Sequence, residues 1–159
     1  QVTIVSFKLI FIYLCKYHTM SFFDGVLTPM DIIVVNRQFC EQLGEPYWLD
    51  YPEKLQEIVD EINSYNKLDD DKEKAIQKAC CLMTGLVFDQ PFKNGNKRTS
   101  VAISLLLMRI HNYDIEGYKQ EEKQKIFYEL LENTMMKMEG DKTIRIDIEK
   151  FIRENITKI

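Results

Sequence analysis

Along most of this chain apolar residues recur every three or four positions, the repeat of a helix face rather than the alternation of a strand. The pattern starts after Leu27. Thr28-Pro29-Met30-Asp31 reads as a helix opening: Thr28 can cap the free N–H groups, Pro29 fits the first turn, and Asp31 suits the helix dipole. Ile32, Val35, Asn36 and Phe39 share one face, and Gly44 ends the run. The loop Glu45-Pro46-Tyr47-Trp48-Leu49 carries two aromatics and is expected to pack against the core. Asp50 is placed to cap a second helix, with Pro52 near its start and Leu55, Ile58, Val59 and Ile62 as its apolar stripe. Asn63 to Leu68 form the exit. Asp69, Asp70 and Asp71 then crowd the start of a third helix, where negative charge is stabilising, so they read as a solvated, capped end rather than a metal site. Ala75, Ala79, Leu82, Met83, Leu86 and Val87 form one face of that helix.

The segment Gln90–Asn96 breaks the pattern, which resumes at once through Val101, Leu105 and Met108. Residues 101–108 are apolar on nearly every side, so this helix should be central and buried all round. Arg109 and His111 near its end suit the negative pole of the helix. Lys119–Met138 predicts a long amphipathic helix carried by Phe127, Leu130, Leu131, Thr134, Met135 and Met138, its methionines filling core, with Gly140 as the stop. Ile148, Phe151, Ile152 and Ile156 predict a last short helix. The fold class is therefore all-α: a single domain of about six helices around a buried central helix, with at most a short strand pair.

The break itself carries the chemistry. Gln90 to Thr99 reads Gln-Pro-Phe-Lys-Asn-Gly-Asn-Lys-Arg-Thr. It sets a Gly-Asn turn directly before two cations and an apolar helix. A glycine lets the backbone turn tightly, successive N–H groups then face one point, and a helix N-terminus adds partial positive charge there. Lys97 and Arg98 add full charges at the same end. A phosphate group is the ligand this order suits.

Composition narrows the function classes. The chain has 159 residues and a net charge of −4, so bulk attraction to nucleic acid is not expected. Its cysteines, Cys15, Cys40, Cys80 and Cys81, form no CxxC, and the adjacent pair would point in different directions on a helix; they read as buried, reduced thiols of a cytoplasmic protein. Residues 1–19 contain Lys8, Lys16 and no acid. Their apolar stretch is short for a membrane span and lacks the basic region of a signal peptide. They read as a peripheral extension, with a membrane anchor as the alternative.

The helix, loop and buried helix together resemble the Fic/Doc (Fido) family. Its motif runs His-x-Phe-x-Asp/Asn-Gly/Ala-Asn-Gly/Lys-Arg, often with Pro after the His and Thr after the Arg. Pro91, Phe92, Gly95, Asn96, Lys97, Arg98 and Thr99 match, and Asn94 is an allowed variant. The stretch from Leu27 to Ile62 is similar to the opening helices of Doc-like members, and the resemblance extends over 27–155. It implies transfer of part of a nucleoside triphosphate to a hydroxyl group of a target protein, with Mg²⁺ and ATP or another NTP as cofactors. Most members move the nucleotide monophosphate, and Doc-type toxins move the terminal phosphate. By resemblance, Phe92 anchors the loop in the core, Asn94 takes the place of the acidic Mg²⁺ ligand, Gly95 and Asn96 shape the anion nest, and Lys97 and Arg98 contact phosphates.

Three positions depart from the family. Gln90 stands where the motif has its histidine, the acceptor of the attacking hydroxyl's proton, and an amide has no useful basicity near neutral pH. Asn94 offers Mg²⁺ a neutral oxygen. Val101 stands where nucleotide-transferring members carry a second arginine, which together with Lys97-Arg98 points to the Doc-like branch. Replacement bases are poor. Asp89 is adjacent with unknown direction, His111 lies at the far end of the next helix, and His18 sits in the N-terminal extension. The inhibitory signature of some members, Ser/Thr-x-x-x-Glu-Gly/Asn, is not met. Thr134 to Glu139-Gly140 has one residue too many, and Glu132-Asn133 has Tyr128 in place of the hydroxyl residue. A separate small antitoxin protein is then the more natural control. Two readings follow: a binding scaffold with weak or lost catalysis, favoured by two weakened positions in one motif, and an active Doc-like phosphotransferase. A nucleic-acid-binding helical domain is a distant third.

Overall fold

The computed structural model describes residues 26–118, 120–137, 141 and 143–159. Expectations for residues 1–19, Lys119, Met138 and Glu139-Gly140 lie outside the described residues. Among those described, the chain forms α1 (Pro29–Leu43), α2 (Pro52–Ser64), a 3₁₀ turn (Tyr65–Lys67), α3 (Asp71–Asp89), α4 (Asn96–Ile110), β1 (Tyr113–Ile115), α5 (Glu121–Met135), α6 (Ile146–Asn155) and β2 (Ile156–Lys158). This is an all-α domain of six helices with one small strand pair.

The helix starts follow their caps. At α1 the Thr28 hydroxyl accepts from the Asp31 N–H while the Asp31 carboxylate accepts from the Thr28 N–H, a reciprocal capping box, and Gly44 closes the helix in the left-handed region at φ 65°. Asp70 caps α3 through the Glu73 N–H. Asp50 does not cap α2. The N-cap is Tyr51, without a side-chain bond, because the backbone N–H groups of Asp50 and Tyr51 both donate to the Pro91 carbonyl and hold this segment against the loop before α4.

Helices α3 and α4 form the centre. Residues 99–108 of α4 are all buried, as its unbroken apolar run predicts. On one side lie α1, α2 and Phe92, packed around Leu82, Leu86, Ile103 and Leu107. On the other lie α5, α6 and Ile115, packed around Ala79, Met83, Val101 and Leu105. Cys80 and Cys81 face opposite halves of this core, and with Cys40 they are buried free thiols.

Two C-terminal expectations are corrected. The amphipathic helix is described only over Glu121–Met135, and of its stripe Phe127, Leu131 and Thr134 are buried. Ile156 leaves the last helix and begins β2, pairing antiparallel with Ile115 while Tyr113 pairs with Lys158; the β-branched run Ile156-Thr157 suits a strand once α6 has ended.

His111 also differs from its expected role as a cation at a helix end. Burial and the neighbouring Lys78 push its pKa down to about 4, so the ring is neutral, with Nε2 3.2 Å from the Lys78 ammonium. Lys78 is fully buried and also donates to Asn66 Oδ1 at 2.5 Å; burial lowers its own pKa to about 8. The cluster ties the 3₁₀ turn, α3 and the end of α4 together. Between pH 6.5 and about 4 the unfolded chain binds a proton at His111 that the folded protein does not, so stability present above pH 6.5 is lost as pH falls toward 4. Replacing His111→Gln is expected to flatten that acid limb in urea midpoints measured from pH 7 to 4; an unchanged slope would assign the limb to other groups.

Candidate functional site

The loop between α3 and α4 is built around Phe92. Helix α3 ends at Asp89, and Gln90 turns the chain in the left-handed region at φ 46°, a conformation uncommon for a residue with a side chain. Phe92 is 2 % exposed and packs beside Tyr47, with ring centroids 6.1 Å apart. The segment before α2 pairs with the loop backbone. Lys93 N–H donates to the Trp48 carbonyl at 2.9 Å, Asp50 N–H to the Pro91 carbonyl at 2.8 Å, and Leu49 bridges Phe92. Asn96, the first residue of α4, folds its side chain back onto the loop: Oδ1 accepts from the Phe92 N–H at 3.0 Å and Nδ2 donates to the Phe92 carbonyl at 2.7 Å.

Gly95 follows at φ 78°, where a Cβ would lie 2.9 Å from Asn36 Nδ2, so both the dihedral and the space require glycine. Asn36, on α1, donates from Nδ2 to the Asn94 carbonyl at 2.8 Å and to Thr99 Oγ1 at 3.1 Å. No side chain caps α4. Thr99 N–H takes up the Gly95 carbonyl, but the N–H groups of Gly95, Asn96, Lys97 and Arg98 have no partner among the described residues. These four donors sit at the positive end of the helix dipole.

The cleft over them has a volume of about 240 Å³ and is lined by Gln90, by Lys93 to Arg98 and by Met135 of α5. Both motif cations are engaged by carboxylates. Lys97 Nζ meets Glu132 Oε1 at 2.6 Å and lies 5.7 Å from the centre of the Tyr128 ring; Arg98 pairs with Glu45. The bond to Lys97 lowers the pKa of Glu132. The Arg98 Nε atom is buried without a partner.

The structure thus brings Gln90, Asn94, Gly95, Asn96, Lys97 and Arg98 to one cleft, with Phe92 beneath it. Asn94 donates from Nδ2 to the Pro46 carbonyl at 2.9 Å. Asp89 lines a different cleft, of about 290 Å³, with Glu57, Glu61 and Arg145. His111 caps the opposite end of α4, about 22 Å away at 1.5 Å per residue. The methionines depart from their expected place in the core. Met135 is 36 % exposed on the cleft wall and Met136, just past the end of α5, is 85 % exposed, while Thr134 beside them is buried. Trp48, expected to pack inward with its loop, is 64 % exposed, while Tyr47 and Leu49 face the core as alternate residues of an extended segment. Sequence reasoning missed Asn36, Glu45 and Glu132 as neighbours of the loop. Their contacts join residues 58, 53 and 35 positions apart, and no local pattern encodes such a pairing. Among the described residues no three His, Cys, Asp or Glu side chains are grouped to hold a metal ion, and no helix is long and apolar enough to cross a membrane.

A family model described as the Fic/DOC family matches residues 27–108, slightly more than half of the chain. The match spans α1 to α4 and includes the whole loop. Comparison with curated proteins and with solved structures finds no match.

The two asparagines flanking Gly95 are expected to differ in weight. Asn96→Ala leaves the buried Phe92 N–H and carbonyl without partners and should lower stability by about 2 kcal/mol or more, since each orphaned group costs about 1–3 kcal/mol. Asn94→Ala loses one exposed bond and should cost less than about 1 kcal/mol. Urea unfolding of the two variants measures the difference; equal costs would remove the Asn96 clamp from this account.

Proposed function

The chain belongs to the Fic/DOC family, and from that premise we propose that its loop binds the phosphates of ATP or another nucleoside triphosphate on a scaffold whose transfer chemistry is weak or lost. The observation that carries this reading is the set of four backbone N–H groups beside Lys97 and Arg98 that have no partner among the described residues. Successive backbone N–H groups at a helix start donate to phosphate oxygens without rearrangement. The residues fit such a group on one further count: Arg98 Nε is a buried donor lacking an acceptor. Glu45 and Glu132 stand in for the anion. Their ion pairs with Arg98 and Lys97 are partly exposed, and such pairs are weak enough for a polyphosphate to displace.

The chain supplies less for the metal and for the proton. Mg²⁺ would arrive with the nucleotide, held by its phosphates and by Asn94 as its one protein ligand, and would neutralise charge on the transferred group. Gln90 lines the cleft at the position of the family's base, and its amide takes no proton from an attacking hydroxyl. Losing a positioned base typically costs about 10²–10⁴ in rate. The acceptor is a protein hydroxyl, as the family resemblance implies, and control falls to a separate small protein.

A second reading, an active Doc-like phosphotransferase, is favoured by one observation: Val101 replaces the second arginine, and it is buried. Phosphoryl transfer relies chiefly on positioning and electrostatics, so a missing base weighs least there.

ATP labelled separately at the α- and γ-phosphates, incubated with cell lysate and either the unaltered protein or Gln90→His, separates these readings. The scaffold reading expects label transfer to rise about 10²–10⁴-fold in the variant. Transfer of γ-label by the unaltered protein at comparable rate would establish the phosphotransferase. No ATP binding by either protein would sink the nucleotide site. Glu132→Ala frees Lys97 and is expected to tighten ATP binding by less than about tenfold, the ceiling for an exposed pair, in isothermal titration; weaker binding would show that Glu132 belongs to the ligand's own contacts.

A further inference from the structure

Asn36 is fully buried on α1 and bonds to a loop 58 positions away. Its partner, the Asn94 carbonyl, belongs to the same peptide unit as the Gly95 N–H. That unit is planar and trans, so the two groups point in opposite directions. Asn36 Nδ2 draws the carbonyl toward α1 at 2.8 Å, and the Gly95 N–H is thereby aimed away from α1. Gly95 lines the cleft, and its N–H has no partner among the described residues. The amide is itself fixed. Nδ2 also reaches Thr99 Oγ1 at 3.1 Å in the first turn of α4, and Oδ1 is approached by the Cys40 thiol at 3.8 Å, which assigns the donor end.

A glycine rotates its peptide planes at little steric cost. Left alone, the Asn94–Gly95 unit could turn over and present a carbonyl oxygen to the cleft, where it would repel an anion. We propose that Asn36 is the positioning residue of the anion site: its buried amide locks this peptide with the N–H facing the cleft, so that a phosphate oxygen meets a donor. The inference rests on the reading of the loop as a phosphate site and adds the device that orients it. The residue touches no ligand and acts through the backbone it holds.

Asn36→Asp is nearly isosteric but exchanges the donor for an oxygen that repels the Asn94 carbonyl. Asn36→Ser, short and neutral, cannot span to it and serves if the buried carboxylate prevents folding. Thr99→Val is the control: it removes the other partner of the same amide at an equally buried position and leaves the peptide lock in place. The readout is the Gly95 amide resonance of ¹⁵N-labelled protein titrated with tripolyphosphate. In the unaltered protein this resonance is expected to shift on addition. The Asn36 variants should bind more than about tenfold more weakly, the loss expected for one hydrogen bond to a charged group, and should lose the Gly95 shift. Thr99→Val should keep the shift and bind within about threefold of the unaltered protein, although it lowers stability. Folded Asn36 variants that keep both shift and affinity would overturn the inference and leave the phosphate reading standing. So would Thr99→Val weakening binding as much as they do, since the effect would then be one of general packing. An unaltered protein that does not bind tripolyphosphate would overturn both.

Discussion

Burial of Phe92 is the contact on which the loop depends. A short connection between two packed helices has few side chains with which to hold its shape, and this one also carries a left-handed residue at each end, Gln90 and Gly95. With the Phe92 ring sunk among Tyr47, α1 and α2, its backbone becomes a fixed point. The Asn96 side chain binds both polar atoms of that residue, and the segment around Trp48 and Asp50 binds the residues on either side of it. The polar backbone atoms of Phe92 are thereby turned inward, and the N–H groups at the start of α4 that lack a partner among the described residues remain beside the cleft. Where those donors lie is thus set by where the apolar ring sits.

That division explains what the sequence made legible. Helices α1 to α4, their caps at Thr28 and Asp70, the stop at Gly44 and the all-round burial of α4 follow from local periodicity and capping chemistry, which a linear reading can see. The loop was legible for the same reason, since Phe92, Gly95 and Asn96 do their work within a few residues of each other. What failed was set by distant contacts. Asp50 looks like a cap until the Pro91 carbonyl claims its backbone N–H, Met135 looks like core until α5 is seen to end against the loop, and Ile156 looks helical until β1 offers it a partner. Asn36 was read correctly as a buried position on a helix face, but its purpose there lies 58 residues further on.

The electrostatics of the cleft combine two layers of different permanence. The N–H groups and the helix dipole are built into the backbone and are present at any pH. The cations are conditional, each held by a carboxylate from another part of the chain, Glu45 ahead of α2 and Glu132 on α5. The family match ends at residue 108, so α5, which supplies Glu132 and Met135 to the cleft, lies outside the matched stretch. The N–H groups of the loop and Glu45 lie within it.

The chain contains a single tryptophan, and its position gives it a use beyond packing. Trp48 projects into solvent while its carbonyl oxygen is hydrogen-bonded to the Lys93 N–H on the floor of the cleft. The indole is therefore an intrinsic fluorophore joined to the loop backbone through one hydrogen bond, without competing emission from a second one. Its quenching and anisotropy follow movements of the loop that leave the helical core, and so the circular dichroism, unchanged.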